Sequence, residues 1–353
     1  METQVFRHKK EFNTERGFSL PEFKLSYTTY GKLNHDKSNL IWVIHALTGN
    51  SKVHDWWPNI FGSDKFLDPQ KYFIICVNNL GSPYGSTSPL STNPKTGKPY
   101  YKAFPSLTIN DLVNTYQILA QHLEIKKINT MVGPSLGGQQ ALQWAINFPN
   151  QIENLVLVAT NAVHSAYGKA FNATQRLAIK NDKTWGENND DAGKKGLKLA
   201  RSIAMLSYRS YNGFKAQQDV GACDEGKKVE SYLNYQGNKL ASRFNAYSYY
   251  LLTKVMDSHN VAKNYGSINQ ALAQVKARAL VIGINSDVLF PVCEQQFIYR
   301  NIKYCQIEMI NSEYGHDGFL IEQQLNEIIT NWYLRKPREY QKVKLNFQNA
   351  IWS

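Results

Sequence analysis

The residues Gly133-Pro134-Ser135-Leu136-Gly137 form the pattern Gly-x-Ser-x-Gly between an apolar run and a helical pattern. The string by itself is a weak signal, because an ordinary Gly-rich turn with a helix-capping serine has the same letters. After a strand and before a helix, however, small residues around the serine permit a strained turn that exposes its hydroxyl group. This context predicts that Ser135 is a nucleophile that attacks an acyl group or a similar electrophile.

A nucleophilic serine needs a base, and the base needs an orienting carboxylate. In folds with this turn the three residues follow the chain order Ser, Asp or Glu, His. Asp287 follows the apolar run 279–284, and His316 lies in a loop before the last helical pattern. Each is by itself compatible with an ordinary loop residue, but their order and their places near element ends predict a triad of Ser135, Asp287 and His316.

The negative charge that develops on an attacked acyl oxygen needs two backbone N–H donors. One is predicted to be the N–H of Leu136, directly after the nucleophile, and the other that of Leu47, in the loop 45–49 after an early apolar run. His45 lies in the same loop, but its early place in the chain favours a packing role. The remaining histidines have no catalytic constellation around them in the sequence, among them His54, His122 and His164.

Five short apolar runs are typical of buried strands: 40–44, 72–77, 130–132, 155–159 and 279–284. Because they are apolar throughout rather than alternating, they favour a parallel sheet that is covered on both faces. Helical patterns separate them, the clearest at 109–123 with a capping box at Thr108 and Asp111, and another from Ser135 to before Pro149. Together with the serine turn, this alternation predicts an α/β-hydrolase fold with a mostly parallel central sheet and helices on both faces.

The alternation of strands and helices stops near residue 165 and resumes at residue 279. In this interval the polar segment 180–195 is predicted to be a loop, whereas 196–211 and 229–256 carry helical patterns. We predict that the interval is a helical lid inserted over the sheet edge where the site lies. The predicted division is an α/β core at 1–164 and 276–353 and a lid at 165–275. A final helix is predicted at 321–333, and the basic tail after Pro337 has no functional signal.

The composition is that of a soluble globular protein, with 353 residues, 42% hydrophobic and 19% charged. No apolar stretch is long enough to span a membrane and the N-terminus has no apolar signal core, so a cytoplasmic location is expected. The net charge is +12, but the lysines are scattered along the chain, which favours a solvated basic surface over nucleic-acid binding. The cysteines are far apart and indicate neither a metal site nor a disulfide framework: Cys76, Cys223, Cys293 and Cys305.

Motifs spread over nearly the whole chain resemble those of the homoserine O-acetyltransferase family, which lies within the α/β-hydrolase superfamily. This combination is far more specific than the serine turn alone. The matching pieces include His45-Ala46-Leu47-Thr48-Gly49, the loop 79–87, the serine turn with Gly138-Gln139-Gln140 after it, Ala200-Arg201, Leu206-Ser207-Tyr208-Arg209, Asp287-Val288-Leu289-Phe290-Pro291 and Tyr314-Gly315-His316-Asp317.

The resemblance implies ping-pong acyl transfer in methionine biosynthesis. Ser135 would take an acetyl group from acetyl-CoA, a co-substrate rather than a permanently bound cofactor, and the hydroxyl of L-homoserine would then attack the acetyl-serine. His316 would act as base and acid in both halves, oriented by Asp287, so that one hard step becomes two easier ones. The resemblance also implies a homodimer formed through the lid.

By match to the family's substrate positions, Arg201 would bind the homoserine carboxylate as a fork, Tyr208 would assist, and Asp317 would bind the ammonium group. Arg201 and Tyr208 are seven residues apart, which is two helical turns, so both lie on one face of a helix. Without the resemblance, Arg201 would be interpreted as an exposed arginine of a lid helix and Asp317 as an aspartate that caps a helix.

Two motifs depart from the family pattern. The turn has Gly-Pro-Ser-Leu where Gly-Gly-Ser-Met is common; Leu136 keeps its N–H, whereas Pro134 removes one and stiffens the turn. Ser88 replaces a common glycine in the loop that follows residue 87. Neither change touches the triad.

Three alternatives stay open at this point. Succinyl-CoA as donor, or L-serine as acceptor, would use the same site, and one methylene changes binding by only about 1–3 kcal/mol. A simple esterase would not need Arg201 and Asp317, and a non-enzymatic binding protein would not need an intact triad.

Overall fold

The structure is a computed structural model, and it describes residues 1–218 and 226–335. Cys223 and the basic tail after Pro337, on which sequence predictions were made, lie outside the described residues.

Most of the strands join one twisted sheet. The strands are β1 (Glu2–His8), β2 (Phe12–Asn13), β3 (Ser19–Leu20), β4 (Phe23–Tyr30), β5 (Leu40–Val43), β6 (Phe73–Val77), β7 (Ile128–Pro134), β8 (Ile152–Val158), β9 (Arg278–Ile284) and β10 (Cys305–Ile310). The sheet has the order β1-β4-β6-β5-β7-β8-β9-β10, and β2 pairs with β3 separately. From β6 to β10 all neighbours are parallel, whereas β4 pairs antiparallel with both β1 and β6.

All five predicted strands are present, with small shifts at their ends. The structure adds β1, β4 and β10, which the sequence pattern did not reveal. β4 was missed because it carries Ser26, Thr28 and Thr29, which are polar yet buried in the sheet. A strand of this kind is invisible to a search for apolar runs.

The helices confirm the predicted alternation on both sides of the serine turn. They are α1 (Val53–Trp56), α2 (Ile109–His122), α3 (Leu136–Asn147), α4 (Ala166–Lys180), α5 (Lys194–Tyr208), α6 (Tyr211–Gln218), α7 (Lys227–Ala241), α8 (Ala246–Asp257), α9 (Ile268–Leu272), α10 (Val292–Asn301), α11 (Gly318–Ile321) and α12 (Gln324–Leu334). The capping box of α2 is present as predicted, since Thr108 and Asp111 satisfy each other's backbone N–H groups.

Helices α4 to α9 follow one another between β8 and β9 without an intervening strand among the described residues. The segment 229–256, which carries a helical pattern, comprises the two helices α7 and α8, because Asn245 caps a new helix by accepting a hydrogen bond from the N–H of Ser248 at 2.8 Å. The helix predicted at 196–211 is α5, which ends at Tyr208, and the one predicted at 321–333 is α12, which begins at Gln324 after the short helix α11. The division into core and lid stays a prediction.

The apolar core has two layers, one on each face of the sheet. Along β5, Leu40 and Trp42 point into one layer while Ile41 and Val43 point into the other, and all four are fully buried. This explains why the strand is apolar throughout. The parallel strands end at a common edge, which brings the loops after β5, β7, β9 and β10 together. No helix in the described ranges is long and apolar enough to cross a membrane.

Candidate active site

Ser135 lies between the end of β7 and the start of α3, at the sheet's carboxyl edge. Its backbone has φ 54° and ψ −123°, a conformation that L-residues rarely adopt. The surrounding glycines explain how the turn is held. A side chain on Gly137 would collide with the carbonyl of Ile44, and one on Gly138 would collide with Thr160. The turn is therefore a strained strand-to-helix elbow, despite the proline at 134.

The structure brings the three predicted triad residues into hydrogen-bond contact. His316 Nε2 lies 2.9 Å from Ser135 Oγ, and His316 Nδ1 lies 2.6 Å from Asp287 Oδ2. All three side chains are buried. An ionised carboxylate only accepts, so Nδ1 carries the proton and Nε2 is left to accept the serine proton.

The second oxygen of Asp287 holds the carboxylate in place. Asp287 Oδ1 accepts the backbone N–H groups of Leu289 and Phe290 at 2.8 and 2.9 Å. The ring of Phe290 stacks on that of His316, with centroids 5.0 Å apart and planes at 24°. One short loop after β9 thus holds both the carboxylate of Asp287 and the ring of His316 in position.

The loop of His316 packs against the end of α5. Gly315 has φ 63°, and its Cα faces the backbone of residues 208–210 so closely that no side chain would fit. The ring of Tyr208 lies 5.7 Å from that of His316. The helical segment thus forms one wall around the base.

The two predicted oxyanion donors are both near the elbow. Leu136 opens α3, and the loop of Leu47 is brought to the elbow where the backbone of Ile44 and His45 passes Gly137. Within the described chain, neither the N–H of Leu47 nor that of Leu136 has a hydrogen-bond acceptor. Both groups are therefore available to a developing oxyanion.

His45 packs inside the protein, as predicted. Its Nδ1 hydrogen-bonds the carbonyl of Ala46 at 2.8 Å, and the N–H of Asn79 donates to its Nε2 at 3.2 Å. Complete burial lowers the pKa of His45 to about 4. A neutral ring therefore ties the loop after β5 to the loop after β6.

The three predicted substrate residues also lie beside the triad. The guanidinium of Arg201 lies over the ring of Tyr208 at 5.2 Å, so the two share one face of α5. Asp317 follows His316 directly, and burial raises the pKa of its carboxyl against the opposing effect of Arg209, Arg201 and His316. Their roles in binding stay predictions.

Arg209 was not predicted as a site residue. Its Nε lies 3.3 Å from Asp317 Oδ2, and both side chains are largely buried. Its only signal in the sequence was its place in the motif Leu206-Ser207-Tyr208-Arg209.

A buried polar cluster lies behind Phe290 and surrounds His164. The two ring nitrogens of His164 lie 3.4 Å from Gln139 Nε2 and 3.2 Å from Asn172 Nδ2. Burial lowers the pKa of His164 to about 3. These partners come from α3 and α4, so spacing along the chain did not reveal them.

The same cluster contains a carboxyl group near the triad acid. Asn161 Nδ2 donates to Glu294 Oε2 at 2.9 Å. Burial, aided by the negative charge of Asp287, raises the pKa of Glu294 to about 7 in spite of hydrogen bonds from Asn161 and Ser165. Glu294 is thus a carboxyl group that titrates near neutrality beside the site.

One arginine ties the helical segment to the loop after β5. Arg243, between α7 and α8, donates to the carbonyl of Thr48 at 2.7 Å and also to the hydroxyl of Tyr84. Thr48 is the neighbour of the proposed oxyanion donor Leu47. In the parts of the chain that the structure covers, no group of three or more His, Cys, Asp or Glu side chains is placed to hold a metal ion.

Comparison with known proteins gives a consistent result. Residues 39–323 match the family model described as the alpha/beta hydrolase fold. The chain is 48% identical over 336 residues to the homoserine O-acetyltransferase of Cyclobacterium marinum, covering 95% of this chain and 96% of the relative.

Solved structures extend the likeness to three dimensions. Homoserine O-acetyltransferase from Bacillus anthracis superimposes with a TM-score of 0.89 at 26% identity, covering 96% of this chain and 99% of that one. Esterase E22 superimposes with a TM-score of 0.84 at 24% identity, covering 95% and 100%, which shows a shared fold.

Proposed function

The chain belongs to the homoserine O-acetyltransferase family within the α/β-hydrolase fold, and from this premise we propose that it transfers an acetyl group from acetyl-CoA to the hydroxyl of L-homoserine. The reaction would serve methionine biosynthesis. The observation that carries the proposal is the placement of Arg201, Tyr208 and Asp317 directly beside the triad.

In the first half-reaction, Ser135 Oγ attacks the thioester carbon while its proton moves to His316 Nε2. The 2.9 Å contact between these atoms supports a direct transfer. The oxyanion is held by the N–H groups of Leu47 and Leu136. The C–S bond then breaks, the CoA sulfur takes the proton from His316, and an acetyl ester of Ser135 remains.

In the second half-reaction, the hydroxyl of homoserine attacks the acetyl-serine. His316 removes the hydroxyl proton and then returns it to Ser135 Oγ as the ester bond breaks, so the enzyme is regenerated. Asp287 holds the imidazole in the required tautomer through both halves and stabilises its charged form.

Selection of homoserine over water depends on position. The Arg201 guanidinium pairs with the substrate carboxylate and Asp317 with the ammonium group, which places the hydroxyl at the acetyl carbon. A hydrolase that uses water needs neither contact, so this pair favours a transferase over the esterase alternative. Succinyl-CoA and L-serine remain competing substrates of the same site, to be decided by competition assays.

We also propose that the protein is a homodimer formed through the helical segment. Its helices carry large apolar side chains that are more than half exposed in the single chain. They are Tyr167, Leu177, Leu199, Leu206, Tyr211 and Tyr235. Exposed apolar residues concentrated on one substructure are typical of an interaction surface.

Mass spectrometry of the intact protein tests the reaction. After incubation with acetyl-CoA, we expect a gain of one acetyl group on Ser135, which L-homoserine then removes with formation of O-acetylhomoserine. The Ser135→Ala variant is the control and should gain no adduct. An acetyl adduct that water clears as fast as homoserine does would instead indicate an esterase, and no adduct and no CoA release would refute the proposal.

A further inference from the structure

Two arginines flank a single carboxylate beside the triad. Arg201 lies on α5 and Arg209 directly follows that helix, and both lower the pKa of Asp317 by their charge. Arg209 is in ion-pair contact, with Nε 3.3 Å from Asp317 Oδ2 and side-chain exposures of 15% and 13%. Two guanidinium groups thus lie near one carboxylate, whereas a single arginine would be enough to form an ion pair with it.

The two oxygens of Asp317 have different surroundings. Oδ2 is in ion-pair contact with Arg209, whereas Oδ1 has neither an ion pair nor a hydrogen bond with the residues that the structure describes. A carboxylate accepts at both oxygens. One oxygen of Asp317 is therefore anchored, and the other is free for a cation that enters the site.

The position of Arg209 is fixed by contacts between the end of α5 and the histidine loop. Ser210 Oγ donates to the carbonyl of Glu313, and Gly315 lies against the backbone of 208–210. The guanidinium also lies 5.9 Å from the ring centre of Tyr314. The arginine thus belongs to a rigid contact and not to a solvated surface.

Arg209 has little else to bind. Its Nε and Nη1 are buried and make no hydrogen bond to any described residue. The negative charge of Asp317 is therefore the main group that balances the buried positive charge of Arg209. A buried charge without a partner is costly, which ties each of the two groups to the other.

We propose that Arg209 is a specificity-determining residue, which anchors one oxygen of Asp317 so that the other is presented to the ammonium group of an amino-acid acceptor. This inference rests on the proposed acyl transfer and concerns only its second half-reaction. Arg209 does not touch the reacting atoms, so it acts as a positioning residue.

The electrostatics give the physical reason. Burial and the charge of Asp287 favour the protonated form of Asp317, which cannot pair with an ammonium group, while Arg209, Arg201 and His316 favour the ionised form. Without Arg209, Asp317 would be protonated at higher pH and less ordered.

The test compares Arg209→Met with Arg209→Lys in the full-length protein. For Arg209→Met we expect acetylation of Ser135 by acetyl-CoA within about twofold of wild type, and kcat/KM for homoserine lower by about tenfold or more, as for loss of a charged contact. Most of the change should be in KM, and the ratio of transfer to hydrolysis should fall. Arg209→Lys should restore much of the ratio by restoring the charge.

The pH dependence separates this role from a merely structural one. In Arg209→Met the acidic loss of kcat/KM for homoserine should move to higher pH, while the pH profile of acetylation stays unchanged. Equal losses in acetylation and transfer in both variants, or an unchanged ratio of transfer to hydrolysis, would overturn the inference. If Arg209→Met does not fold, the Lys variant decides through the same ratio. Failure of the wild type to be acetylated would refute the proposed function itself.

Discussion

At the residue scale, the hydrogen bonds of Asp287 determine which ring nitrogen of His316 carries the proton. Asp287 has both oxygens occupied, one by His316 and the other by two backbone N–H groups. The tautomer of His316 is therefore fixed before any substrate arrives. The nitrogen that is proposed to accept the serine proton is therefore determined by the loop after β9 and not by the histidine alone.

Replacing Asp287 with Asn should invert this assignment. The amide would donate to Nδ1, so that Nε2 carries the proton and can no longer accept the one from Ser135. We expect kcat for acetyl transfer to fall by about 10³- to 10⁴-fold. Steady-state assays measure the loss, and an unchanged melting temperature would show that the fold is intact. A near-normal kcat would mean that Asp287 does not orient the base.

Glu294 should make stability depend on pH. Its pKa is about 7 in the folded protein against 4.5 for a free side chain, because it is buried near Asp287. Between these values the folded state keeps a proton that the unfolded state releases, so the free energy of unfolding falls as pH rises from about 4.5 to about 7. Glu294→Gln should flatten that fall.

Melting temperatures of wild type and Glu294→Gln across this range give the comparison. Other titrating groups contribute equally to both proteins, so the difference isolates Glu294. Parallel curves would show that folding does not raise the pKa of Glu294.

At the scale of elements, helix ends determine how neighbouring parts of the chain are joined. Thr108 caps α2 through a complete capping box, and Asp111 also accepts the N–H of Glu15 at 2.8 Å. The start of α2 is thereby joined to the N-terminal strands.

Thr108→Ala should lower the free energy of unfolding by about 1 kcal/mol, since a buried cap is lost. Ser267→Ala is the matched control, because Ser267 caps the short helix α9 at an exposed end. We expect a smaller effect there. Urea unfolding measures both, and equal changes would argue that burial of the cap has no importance.

Sequence was sufficient for elements whose pattern is local. The strands β5 to β9 are apolar on both faces, and the elbow, the oxyanion loop and the loop around each triad residue occupy a few consecutive residues. Other features depend on contacts between distant parts of the chain. The polar strand β4, the partners of His164 and the pair of Arg209 with Asp317 arise only when the chain folds. The break at Asn245 had a local signal, because asparagine is a common helix cap.

At the scale of the whole molecule, the proposed homodimer has a direct test. Leu199 and Leu206 are two helical turns apart on α5, and each is more than half exposed. Placing Glu at both positions should convert a dimer into a monomer in light-scattering measurements. Tyr304→Glu is the control, because Tyr304 is exposed but lies outside helices α4 to α9, and this change should leave the dimer intact. A wild-type monomer at micromolar concentration would refute the proposed assembly.

The triad draws on the ends of β7, β9 and β10, so its parts are far apart in the chain. Ser135 and His316 touch although 181 residues separate them. On a ribosome the proposed nucleophile Ser135 is made long before its proposed base, and a growing chain that lacks His316 carries only an unactivated serine. Such a chain would not consume acyl-CoA during synthesis. Activity would begin abruptly, when the last of the parallel strands and the loop behind it have joined the sheet.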